Sequence, residues 1–230
     1  MRLYTILAAP LTGWLLCSGV AAQTAVPLQI DGQPAITKRV TSLAAMRYRN
    51  VMRQELDFSC GAAALGTLLR YGYGVDIEER RIISDMLKIS DAEEVMRRGF
   101  SMLDMRNYIE TLGFRGTGFR VELSALRQLK IPVIVLLDIK GYQHFVVVRQ
   151  AAEGRVFVSD PALGNRIMPE HEFAEAWNNL VFAVIGQPFP QTSELLKADA
   201  PVLRQRTDAA MRAGARAPSV DFGLAHMDFF

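Results

Sequence analysis

The sequence predicts an α+β fold, a helical first half followed by an antiparallel sheet. Three observations carry this. Apolar residues recur at helical spacing through residues 60–112. From Pro132 the pattern changes to short apolar runs of strand length, separated by turn residues. The two patterns are segregated rather than alternating, which argues against a parallel βαβ arrangement.

Taken in order, residues 1–22 look like an export signal, not part of the fold. Arg2 is followed by an uncharged apolar stretch from Leu3 to Val20, and Val20-Ala21-Ala22 offers small residues before Gln23. Cleavage there is expected, with retention as a membrane anchor the rival. No other stretch approaches the roughly 18 apolar residues a spanning helix needs. Residues 23–47 are mixed, carry two prolines and are read as an N-terminal arm. The folded domain is placed at 48–190.

Within it, Arg49 to Asp57 looks extended and leads into Phe58-Ser59-Cys60. A helix follows from Cys60, rich in alanine and leucine, with Ser59 as its cap and Gly72 and Gly74 stopping it. Asp76 opens a second helix carrying Ile82, Ile83 and Met86. Asp91-Ala92-Glu93-Glu94 opens a third, acidic where the helix dipole prefers. Ser101 to Leu112 is a fourth, ended by Gly113. Strands are predicted at 132–138, 144–148, 155–160 and 180–185, with a loop at 161–164 and a helix from Pro169 to Trp177. After Pro190 the patterning fades, so 191–230 is read as a flexible tail with one short helix near Leu203 to Arg212.

Composition excludes some functions. The chain has 230 residues, half of them apolar and 22% charged, with a net charge of +2. No basic run with interleaved aromatics suggests nucleic-acid binding. There is no His-Glu-x-x-His pattern, no cysteine pair and no Walker-type phosphate loop, so neither a metal nor another cofactor is expected.

The cysteines are more telling. There are two, Cys17 and Cys60. Signal cleavage would remove Cys17, leaving one thiol in an oxidising compartment without a disulfide partner. Cys60 is then either an inert, buried packing residue or a nucleophile. Its place at a helix start, where unpaired amides and the dipole favour an anion, suits the second role.

A thiolate nucleophile wants an imidazole. Of three histidines, His171 sits between two glutamates and His226 lies in the tail, which leaves His144 at the mouth of a buried strand. Asp160 ends the following strand. Antiparallel pairing brings the start of one strand near the end of the next, so Asp160 can orient the ring. Asp160 also suits the start of an Asp-Pro turn, and both uses are compatible. Gln54, six residues before Cys60, is either a surface amide or a donor to a tetrahedral oxyanion.

Gln54-Glu55-Leu56-Asp57-Phe58-Ser59-Cys60-Gly61-Ala62-Ala63-Ala64-Leu65, with Tyr142-Gln143-His144-Phe145-Val146-Val147 and Val158-Ser159-Asp160-Pro161-Ala162-Leu163-Gly164, resembles the bacteriocin-processing peptidases, the thirty-ninth family of cysteine peptidases. The resemblance spans about residues 48–187. It implies a papain-like fold and a thiol peptidase with Cys60 as nucleophile, His144 as base, Asp160 as orienting residue and Gln54 in the oxyanion hole. The family often has Asp before the cysteine and Pro after Cys-Gly, where this chain has Ser59 and Ala62. Most members are N-terminal domains of transporters. The length and layout here are similar to free-standing exported members associated with functional-amyloid secretion. The resemblance therefore implies a periplasmic enzyme acting on an exported polypeptide or a secretion-system component. Two other functions fit a Cys/His pair in such a fold: a cell-wall amidase, and a peptide-binding chaperone module that dispenses with catalysis.

Overall fold

The computed structural model describes residues 24–28, 36–186 and 188–196. The expected signal segment and the helix near Leu203 to Arg212 lie outside them. The chain divides into two compact units between Ser42 and Leu43. In the first, the segment read as an arm holds a hairpin: Thr24–Leu28 (β1) pairs antiparallel with Ile36–Val40 (β2).

The second unit opens with a short helix, Leu43–Arg47 (α1), which the sequence pattern did not predict. The helix predicted from Cys60 is Cys60–Thr67 (α2), and it runs on as a π-helical turn over Leu68–Gly72. Every residue of α2 is buried. Its small side chains make that possible, because Cys60-Gly61-Ala62-Ala63-Ala64 lets its backbone approach the sheet closely. A Cβ built on Gly61 would sit 3.3 Å from Phe145 Cδ2.

Glu79–Leu87 (α3) starts three residues later than Asp76 suggested, with Glu78 at its cap position. Ala92–Arg98 (α4) and Met102–Thr111 (α5) lie where expected. Asp91 caps α4 by accepting from the Glu93 and Glu94 amides, and Ser101 with Asp104 forms a reciprocal capping box on α5.

Three further elements of this unit went unpredicted: Arg115–Arg120 (β3), Leu123–Leu126 (α6) and Gly164–Pro169 (β7). The predicted strands are Val133–Ile139 (β4), Tyr142–Ala152 (β5), Arg155–Asp160 (β6) and Trp177–Ile185 (β8), with Glu170–Ala176 (α7) before the last. Together they form a six-stranded sheet in the order β3-β8-β4-β5-β6-β7, every neighbouring pair antiparallel.

The sheet has a core on each side. One gathers Ala63, Leu65, Ile82, Met86, Ile109, Phe145 and Val147 from the helical half and β5. The other gathers Val146, Val148, Val156, Val158, Phe173 and Trp177. Alternate residues of β5 therefore feed opposite cores, which is why its apolar run is continuous. The first residues of the segment read as a tail, up to Leu196, pack against the fold. Glu194–Leu196 forms a 3₁₀ turn, Leu195 is fully buried, and its carbonyl accepts from Arg149 Nε at 2.9 Å. Among the described residues no helix is long and apolar enough to cross a membrane.

Candidate active site

Cys60 opens α2, His144 lies near the start of β5, and Asp160 ends β6. The antiparallel β5–β6 pairing brings the last two together: His144 Nε2 lies 2.7 Å from Asp160 Oδ1. Both side chains are almost wholly buried, at 3% and 0% exposure. A hydrogen bond sealed from water is worth more than an exposed one, since no solvent competes for either partner.

Asp160 also begins the turn that its Asp-Pro context suggested. The same Oδ1 accepts from the amides of Ala162 and Leu163, at 2.9 and 3.0 Å. Its other oxygen lies 3.1 Å from Arg166 Nε. Burial works against its ionised form, but the bond to His144, the charges of His144 and Arg166 and the Leu163 amide outweigh it and hold the carboxyl below the usual range.

The imidazole responds in the opposite sense. Burial pulls its pKa down, while Asp160 and Cys60, by hydrogen bonding and charge, raise it to about 9. A pKa raised this way favours the protonated ring. Nε2–H donates to Asp160. Nδ1 is buried and finds no nitrogen or oxygen partner, and Cys60 lies close enough to the ring to raise its pKa. Tyr142 stacks on the ring, centroids 5.8 Å apart and planes 25° from parallel.

The segment before Cys60 is fastened to the turn after Asp160. The Gln54 amide donates to Pro161 O at 3.0 Å, Tyr48 Oη donates to Ala162 O, and Asn165 Nδ2 donates to Arg49 O at 2.7 Å. Gly164 makes the closeness possible. Its φ is +80°, and a Cβ there would fall 2.6 Å from the Arg47 carbonyl oxygen. Gln54 itself is half-buried. Its Nε2 donates to Leu56 O over a long 3.3 Å, and its Oε1 is buried unpaired. That amide nitrogen carries two N–H groups, so one can stay on Leu56 while the other serves an oxyanion.

Ser59 corrects an expectation. It occupies the cap position of α2 but its side chain caps nothing. Its Oγ instead lies 2.6 Å from Glu79 Oε1. Glu79, at the start of α3, was not singled out in the sequence, and neither were Arg166 and Tyr142. The Glu79 contact joins residues twenty positions apart, and Arg166 lies on a strand that the sequence pattern did not mark, so no local pattern marks them.

A cleft of about 400 Å³ opens on Cys60, lined by Gly99, Phe100, Met102, Leu136, Gln143 and Phe145, with Glu94 and Arg98 among its charged residues. A wider groove of about 640 Å³ between Glu55-Leu56 and α3 touches none of Cys60, His144 or Asp160. A cysteine at the wall of a cleft of mixed polarity, near a histidine held by a buried carboxylate, is equipped for nucleophilic acyl transfer.

Comparison with known proteins agrees with this geometry. Residues 48–187 match the Peptidase C39 family. The chain is 42% identical over 201 residues to a "Probable functional amyloid protease FapD" of Pseudomonas aeruginosa, covering 87% of this chain and 89% of that protein. A protein of the same name from Pseudomonas fluorescens is 39% identical over 213 residues, with 93% and 92% covered. Among solved structures, the peptidase domain of Streptococcus ComA, a bifunctional ABC transporter, superposes with a TM-score of 0.52 at 20% identity, over 60% of this chain and 98% of that domain. That likeness establishes the α+β fold.

Proposed function

The chain belongs to the Peptidase C39 family and is a cysteine peptidase; from that premise we propose that it is an exported thiol endopeptidase that cleaves a polypeptide of a functional-amyloid secretion system. Cys60 is the nucleophile. The buried His144–Asp160 hydrogen bond, 2.7 Å long and adjacent to Cys60, carries the proposal.

The Cys60 thiolate attacks a peptide carbonyl seated in the cleft. The Cys60 N–H and the Gln54 side-chain amide receive the oxyanion. When the tetrahedral species collapses, His144 gives its proton to the departing amine, and the acyl group stays on sulfur as a thioester. A water molecule, deprotonated by His144, then attacks the thioester and restores the thiolate–imidazolium pair. Asp160 keeps Nε2–H engaged throughout, so the proton that moves is the one on Nδ1.

The substrate class follows from kinship with the two proteins named functional amyloid proteases, and the periplasm from the apolar segment before Gln23. Mass spectrometry of exported polypeptides, from cells carrying the wild-type chain or Cys60→Ala, tests the proposal. A processed amyloid-system polypeptide should revert to its uncut mass in the variant. An unchanged set of exported masses, with amyloid still secreted, would show that the chain acts as a binding module instead.

A further inference from the structure

Glu79 is the one nearly fully buried carboxylate besides Asp160 among the described residues, at 5% exposure. Its partners are unusual for an acid. Its donors are an amide and a hydroxyl, both from the segment leading to the nucleophile. Oε2 accepts from the Glu55 amide at 2.9 Å, Oε1 lies 3.2 Å from that amide, and Oε1 accepts from Ser59 Oγ at 2.6 Å. The adjacent Arg80 faces solvent and pairs with Glu55 instead, at 2.8 Å. Burial raises the Glu79 carboxyl pKa, so an acid at this position works against its own solvation.

The two donors bracket the stretch. Residues 54–59 form no helix or strand, and Glu55, Leu56 and Asp57 are exposed. Glu79 grips the segment one residue after Gln54 and one residue before Cys60. Inside the bracket Ser59 Oγ accepts from the Leu56 amide at 3.3 Å, and the Ser59 amide donates to Leu56 O at 3.1 Å. That same Leu56 carbonyl holds the Gln54 side chain. The carboxylate thus fixes the loop on which both proposed oxyanion donors ride, while remaining outside the cleft itself.

We propose that Glu79 is a positioning residue for acyl transfer, its carboxylate bracketing residues 55–59 so that the Gln54 and Cys60 amides converge on the substrate's carbonyl oxygen. This rests on the peptidase reading of Cys60. It separates two properties of the site: the readiness of the sulfur, set by His144 and Asp160, and the reception of the oxyanion, set by the bracketed loop.

Two reagents read these properties separately in the full-length protein. The peptide aldehyde acetyl-Leu-Gly-glycinal adds reversibly to sulfur; the S–C bond forms as the carbonyl π bond becomes a hemithioacetal oxygen that occupies the oxyanion position. Iodoacetamide forms an S–C bond with loss of iodide and develops no oxyanion. Glu79→Gln keeps one acceptor and Glu79→Ala keeps none. Aldehyde affinity should fall about tenfold in Glu79→Gln and further in Glu79→Ala, while the iodoacetamide rate at Cys60 stays within about twofold of wild type. Ser59→Ala, which removes one donor without burying a new polar group, should show the same split and serves if the Glu79 variants do not fold. Equal aldehyde affinity in folded variants, or a parallel loss of alkylation, would overturn the assignment. If the wild-type protein binds the aldehyde no better than Cys60→Ala, the peptidase reading itself has failed.

Discussion

Asp160 Oδ1 receives three donors, the His144 ring and the amides of Ala162 and Leu163, so the side chain proposed to orient the base is locked by the turn it starts. Replacing it with Asn keeps the shape but removes the charge that sustains the imidazolium. In Asp160→Asn, kcat/KM should fall by roughly 10² or more. The pH–rate profile carries a finer test. His144 must be protonated to release the amine, so activity should decline as pH rises through about 9, the ring's pKa. In Asp160→Asn that alkaline limb should move to lower pH, and an unmoved limb would mean that another group titrates there. The same shift links to stability. A folded pKa above the ordinary 6.5 contributes stability that is complete below about 6.5 and lost as pH climbs through about 9. Asp160, held low in the fold, contributes above its ordinary value and ceases to as acid protonates it. Cys60, His144 and Asp160 were legible in the sequence because scarcity of histidine and antiparallel strand order both pointed to them. Glu79 and Tyr142 were not, because their roles arise from contacts that no spacing encodes.

At the scale of elements, α2 explains why Cys60, the proposed nucleophile, is held firmly. It is buried on all sides, and Gly66 is its tightest point. A Cβ there would overlap the Met52 sulfur and come within 2.8 Å of Ile82 Cδ1. Gly66→Ala should destabilise the protein by about 1–3 kcal/mol, the usual range for overpacking, despite alanine's better helix propensity. A chemical-denaturation midpoint reads this directly; a stabilised variant would show that the interface between α2 and α3 is looser than its packing implies. The helices α4 and α5 were readable because their capping signals are local: Asp91, and Ser101 with Asp104, lie beside the turns they close. The edge strand β3 was not. Arg115-Gly116-Thr117-Gly118-Phe119-Arg120 buries only Gly116, so it shows none of the alternation that marks a half-buried strand. It is a strand because β8 offers it a ladder, which is a property of the sheet rather than of six residues.

The second unit is a sheet between two cores, with the proposed site where the ends of β5 and β6 meet the start of α2. The chain does not leave this body at Pro190. Arg149, at the irregularity between Val148 and Gln150 in the β5–β6 pairing, donates to the carbonyls of Glu194 and Leu195 and draws that segment onto the fold. Leu195, fully buried among the core residues, should cost about 2–5 kcal/mol when changed to Ala. A thermal melt indistinguishable from wild type would contradict that docking. Composition concealed it: Gln191-Thr192-Ser193-Glu194 is polar, and the adjacent pair Leu195-Leu196 gives no period to detect.

What unites these scales is an imidazolium sustained between Asp160 and Cys60. Titration of His144 by nuclear magnetic resonance, in the full-length protein with ring nitrogens labelled, measures that state most directly. The ring should titrate at about 9 in the wild-type protein and fall toward the ordinary 6.5 in Asp160→Asn. A wild-type ring that titrates near 6.5, unmoved by the loss of Asp160, would contradict the account.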